Sequence, residues 1–148
     1  MRILPAVLRQ IRAHGEATYP EECCGFLLGR VVDGVNHVTA SHAVTNRRTE
    51  NRERRYQIEP GDYLAASRTA EERNLDIVGF YHSHPDHPAR PSETDLAEAT
   101  FPGFTYVIVS VRAGQSAELT GWSLASDRSR FESESVEELS NALENTNE

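Results

Sequence analysis

Apolar positions along this chain change period several times, and each change marks an element. Residues 4–17 carry Leu, Val and Ile at helical spacing, interrupted by Arg9, Arg12 and Glu16. That pattern predicts an amphipathic helix, ended between Gly15 and Pro20. Phe26 to Val31 reads as a strand and Asp33-Gly34 as a turn. Val35 to Val44 alternates well enough to return as the second arm of a hairpin. Arg55-Tyr56-Gln57-Ile58 reads as a short strand, and Pro60 to Asn74 as a second helix with proline near its start. Residues 75–82 (LDIVGFYH) form a mostly apolar, β-branched and aromatic run, the mark of a buried strand. Pro85, Pro88 and Pro91 then prevent helix and stiffen a loop. Residues 92–99 are expected to be helical, with Ser92 as N-cap. Tyr106–Val111 and Glu118–Leu124 close the list of predicted strands.

From Asp127 the chain turns rich in Ser, Glu and Asn, with Phe131 and Val136 as the available anchors. We therefore expect one domain over residues 1–126 and an acidic, partly flexible tail over 127–148, loose from Asn141 onward. There is no repeat and no linker. A length of 148 residues suits a single domain with a proper core. No apolar run approaches the roughly 20 residues that span a bilayer. The first helix is too polar for a signal peptide, so a cytoplasmic protein is expected. The only cysteines, Cys23 and Cys24, are adjacent and offer no disulfide framework. On a strand they point to opposite faces, so they cannot hold one metal together; core packing, or one thiol lining a cleft, are the two readings. A net charge of −8, from 15 basic and 23 acidic residues, argues against nucleic acid as partner. Nothing suggests a membrane partner.

Candidate chemistry is concentrated in residues 81–95, YHSHPDHPARPSETD. His82 and His84 lie two apart, and Asp95 follows eleven residues after the second. If the strand extends that far, alternation puts both imidazoles on one face and Ser83 on the other. Three protein ligands leave one coordination position open, as in catalytic rather than structural zinc sites. Ser92-x-x-Asp95 also matches a capping box, in which the acid only bonds back to the cap. Both readings of Asp95 stand.

His82-Ser83-His84-Pro85, six residues, then Ser92-x-x-Asp95 resembles the signature of the JAMM (MPN+) metalloproteases. Residues 20–29 (PEECCGFLLG) are similar to that family's upstream segment, Pro-x-Glu-x-x-Gly-x-Leu-x-Gly. The likeness runs from about Leu4 to Leu124. It implies an α/β fold: one MPN-like domain with a mixed, mostly antiparallel sheet flanked by helices, cytidine-deaminase-like. It implies one catalytic Zn2+ held by His82, His84 and Asp95. It assigns Glu22, not its neighbour Glu21, as the general base, and Ser92 as a helper at the oxyanion. Zinc makes a bound water acidic near pH 7. A glutamate in a desolvated cleft is suited to carry that proton to the leaving amine.

Family members act at the C-terminal tail of ubiquitin-like proteins. This compact chain resembles the short bacterial and archaeal type, which implies a ubiquitin-like sulfur-carrier protein as substrate and partner. Release of an amino acid such as cysteine, trimming to expose Gly-Gly, and isopeptide cleavage all remain open. So do a non-catalytic MPN scaffold and a zinc hydrolase of small amides. Arg47, Arg48, Arg52, Arg54 and Arg55 crowd nine residues. They form either a solvated loop or a basic surface that steers an acidic protein to the cleft. His37 and His42 are expected on opposite faces of the second strand. His87, in the loop between the ligands, is expected to touch substrate at most and not to coordinate.

Overall fold

The computed structural model describes residues 1–140. Eleven elements run in the order β1 (Arg2–Ile3), α1 (Pro5–Thr18), β2 (Cys24–Val32), β3 (Val35–Val44), α2 (Pro60–Glu72), β4 (Asp76–Pro85), α3 (Glu93–Glu98), β5 (Thr105–Arg112), β6 (Gln115–Leu124), β7 (Phe131–Glu134) and β8 (Glu137–Glu138). The strands form one mixed sheet in the order β7-β6-β5-β4-β2-β3-β1-β8. β2–β3, β2–β4, β5–β6 and β6–β7 are antiparallel, whereas β4 and β5 run parallel. That parallel pair needs a crossover, and residues 86–104 with α3 supply it.

Helices cover both faces. α1 sends Val7 and Ile11 onto Leu27, Tyr81, Val107 and Val109. α2 sends Ala66 and Ala70 onto Phe26, Leu28 and Phe80 on the opposite face, where Leu96 and Ala99 from the α3 region also pack. Small residues on α2 let the helix approach a face crowded with rings: Phe80 lies 5.3 Å from Phe26 and 5.6 Å from Tyr106, centroid to centroid. Both faces are dry, so β2, β4 and β5 read as nearly continuous apolar runs. Gly25 is demanded by the α1 face, since a Cβ there would sit 2.4 Å from the Tyr81 ring.

Helix and strand cores fall where the periodicity predicts, with ends displaced by a few residues. Two expectations need correction. Arg55–Ile58 is irregular rather than a strand. Its backbone groups are taken locally: Arg47 N–H donates to Gln57 O, and the Asn46 side chain bonds Arg55 O and Gln57 N–H. β4 extends through His84 to Pro85, beyond the predicted residue 82. Within the expected tail, β7 pairs with the edge of β6, and β8 with β1. Phe131 does this by packing its ring edge-on against Tyr106, centroids 5.1 Å apart. The expectation for residues 141–148 lies outside the described residues. No helix among the described residues is long and apolar enough to cross a membrane.

Candidate active site

The site lies at the C-terminal end of β4, on the α2 face of the sheet. Phe80, His82 and His84 alternate onto that face, and Tyr81 and Ser83 onto the other. Both imidazoles are almost wholly buried. The neighbouring strand brings the acid. β2 pairs with β4 with Cys24 opposite His82, and Ser83 N–H donates to Cys23 O. Continued two residues, that register brings Glu22 level with His84. Ser83 pins the register by a second bond, its Oγ accepting Cys23 N–H at 2.8 Å.

Asp95 arrives from the crossover. In the capping box of α3, Ser92 Oγ accepts Asp95 N–H at 3.0 Å and Asp95 Oδ2 accepts Ser92 N–H at 2.8 Å. The same Oδ2 stands 3.2 Å from His82 Nε2 and 3.1 Å from His84 Nε2, and the two nitrogens are 3.1 Å apart. The capping reading and the convergence reading therefore hold together in one carboxylate. A short cap delivers the acid over the histidines.

These three donor atoms suit a cation. Tetrahedral Zn2+ with bonds of about 2.0–2.1 Å has donor–donor edges of about 3.3 Å, close to the observed triangle. Their chemistry, two imidazole nitrogens and a carboxylate oxygen, is the right one for zinc. Pro88 O lies 2.8 Å from His84 Nδ1 and can only accept, so Nδ1 carries the hydrogen and the Nε2 lone pair is left for the ion. Burial alone would raise the Asp95 carboxyl. The adjacent His82 and His84 side chains and the Ser92 N–H outweigh it and hold Asp95 well below the carboxylate range. Asp95 is thus a standing anion, and the three residues can hold a metal ion.

Glu22 behaves in the opposite way. It is 2% exposed, and its Oε1 is buried with no hydrogen-bond partner. Desolvation pushes its carboxyl up to about 8, with Asp95 and Glu98 also raising it, and His84 and Arg55 pulling back. Its neighbour Glu21 has a side chain 41% exposed, loosely paired with Arg52 at 3.8 Å. One residue of alternation separates a surface acid from a desolvated one.

A sequence profile settles the relationship. That of the prokaryotic homologs of the JAB domain matches residues 4–125. The chain belongs to this family. The desampylase of Haloferax volcanii is 36% identical to this JAB protein over 117 residues, 78% of this chain and 82% of that protein. The CysO-cysteine peptidase of Mycobacterium tuberculosis is 34% identical over 110 residues, 74% and 73% of the two chains. A protein of Salinibacter ruber, known from a solution structure, is 61% identical with a TM-score of 0.77, covering 94% of this chain and 92% of that one. This JAB protein is accordingly an enzyme, a JAMM-type hydrolase.

Other residues form the walls. Tyr56 stacks on His82, centroids 4.7 Å apart, and His87 on His84 at 4.2 Å. His87 Nε2, like Glu22 Oε1, is buried without a partner. Tyr56 also lines a cavity of about 250 Å³ with Tyr63, Phe80, Phe101 and Tyr106. Sequence reasoning placed Tyr56 in a strand and saw no role for it, since only folding of the Arg-rich segment brings it to His82. Of the arginines, Arg47 is bound to Asp62 through two nitrogens, the shorter contact 2.9 Å. Cys23 and Cys24 are both buried on opposite faces, their thiols pushed up to about 12 chiefly by burial. They are core residues and poor nucleophiles.

Proposed function

We propose that this JAB protein is a zinc-dependent peptidase or isopeptidase that hydrolyses an amide bond at the C-terminal tail of a ubiquitin-like sulfur-carrier protein. One observation carries the reading: three metal-type donors converge within about 3 Å of one another beside a desolvated, unpartnered glutamate. A structural metal site has no use for such a glutamate. Two of its relatives, a desampylase and a CysO-cysteine peptidase, support the substrate class.

His82, His84 and Asp95 would hold the ion, and a bound Zn2+ supplies Lewis acidity that makes water a nucleophile near neutral pH. Glu22, raised towards the working pH, takes the proton of the attacking water and returns it to the leaving amine. Ser92, at the N-terminus of α3, offers its hydroxyl to the developing oxyanion; loss of such a donor typically costs on the order of 100-fold in rate. The aromatic cavity sharing Tyr56 with the site receives the extended tail, and its rings exclude water. Arg52 and Arg54, exposed on the loop above, steer the acidic face of a carrier protein.

Incubating the zinc-loaded protein with the sulfur-carrier proteins of its own source, and weighing the products, tests this. The expected result is a mass loss at the carrier's C-terminus, abolished by a chelator. Intact carriers under zinc saturation would refute the substrate class.

A further inference from the structure

Glu22 must be held in an unfavourable place. A buried carboxylate without a partner gains free energy by swinging to solvent, so its backbone has to be fixed by something stronger. The β2–β4 register sets its level, but Glu22 itself lies two residues before β2, outside the ladder. Both polar groups of its backbone are bound instead to the segment following β3. Glu22 N–H donates to Arg52 O at 2.7 Å, and Glu22 O accepts from Asn46 Nδ2 at 3.2 Å.

Asn46 is the node of that segment. Besides Glu22 O, its Nδ2 donates to Arg55 O at 2.9 Å. Its Oδ1 accepts Arg48 N–H and Gln57 N–H, each at 3.1 Å. The network admits one orientation of the amide, since two carbonyls face the nitrogen and two N–H groups face the oxygen. Two donors and two acceptors are each used, which is the full capacity of an asparagine side chain. The residues bridged are the chain before β2, the start of the Arg-rich loop and its return. That return carries Tyr56, the ring on His82. Asp supplies no donor at this position, and Ser is too short to bridge the segments.

We propose that Asn46 is a positioning residue for the reaction. It fixes the peptide of Glu22 so that the carboxyl stays level with His84, and it closes the neck of the loop whose Arg52 carbonyl grips the other side of that peptide. The Arg-rich segment is on this account a brace for the proton carrier as well as a charged surface. The inference rests on the assignment of Glu22 made above, and two kinds of measurement keep the two separable.

The first needs no substrate. Amide hydrogen exchange in the zinc-loaded protein should show Glu22 N–H protected. In Asn46→Ala and in Asn46→Asp, which keeps the shape of the side chain but lacks the donors, that protection should fall at least tenfold while Phe26 and Val107 in the sheet keep theirs. Unchanged exchange at Glu22 in both variants overturns the proposal, whatever the enzyme's substrate. The second is kinetic. Both variants should lose roughly 10- to 100-fold in kcat with KM altered less than about twofold. In a Glu22→Gln background the same substitutions should cost almost nothing further, because residues acting as a unit are not additive. A loss confined to KM, or an equal further loss in the Glu22→Gln background, assigns Asn46 to substrate docking or to general stability and overturns the proposal. Should Asn46→Ala fail to fold, the isosteric Asn46→Asp carries both measurements.

Discussion

The two faces of β4 bury polar groups for different ends. Towards α1, Tyr81 and Ser83 each have a partner: the Tyr81 hydroxyl pairs with His14 Nδ1 at 2.7 Å, and Ser83 Oγ accepts Cys23 N–H at 2.8 Å. Towards α2, residues one step along the same strand meet the opposite treatment. Three lone-pair donors are pressed together, and Glu22 Oε1 and His87 Nε2 are left without partners. Burial of satisfied groups specifies structure. Burial of unsatisfied ones is held in place against the local gradient of stability, and here it coincides with the proposed site of chemistry.

The contrast is broken most severely by removing a donor of the triangle. His84→Ala or Asp95→Ala should reduce zinc in the purified protein from about one equivalent to a small fraction, with turnover lost. Elemental analysis checks this, and full zinc content would remove either residue from the ligand set. The next largest effect is expected from Glu22→Gln: zinc retained, kcat lower by about 10³-fold.

The same variant should make the metal-free protein more stable, and the pH dependence has a definite sign. Glu22 stays protonated in the fold up to about 8, from an ordinary 4.5. Between those values the unfolded chain has already released the proton that the folded chain keeps. Rising pH therefore drains stability across that window. Glu22→Gln does not titrate, so its gain should be absent near pH 4 and reach on the order of 5 kcal/mol above pH 8. Thermal unfolding with chelator present, scanned over pH, tests it; a gain that does not grow with pH would mean that Glu22 is solvated.

On the satisfied face the expected effects are smaller and structural. Ser83→Ala leaves Cys23 N–H buried and alone, at a cost of about 1–2 kcal/mol. Because that bond sets the register bringing Glu22 level with His84, kcat should also fall severalfold. Tyr81→Phe strands the His14 nitrogen, at about 1 kcal/mol, and should leave kcat within twofold. A large kinetic effect of Tyr81→Phe, with zinc content normal, would erase the distinction between the faces.

Much of this was legible in the sequence because it depends on spacing. His82 and His84 share a face by the period of a strand. Ser92 and Asp95 meet by the geometry of a cap. Glu22 is separated from Glu21 by alternation, with the family likeness choosing between them. Other features left no local signal. The prediction of a strand at Arg55–Ile58 failed because Asn46, nine residues before Arg55, takes those backbone groups. β1 and β8 are two residues each and exist only through pairing, β1 with β3 and with β8, partners far away in sequence. β7 was hidden by its Ser and Glu content, although one ring, Phe131, suffices to seat it.

Taken by itself, the sequence determined which candidate side chains share a face or meet in a cap, because period and capping are local properties of a polypeptide. Tertiary structure alone decided how far each carboxyl is removed from water. Asp95 is an anion amid donors, and Glu22 an acid without one. That difference arises where segments distant in sequence meet, and desolvation is a property of the enclosure and not of the residue.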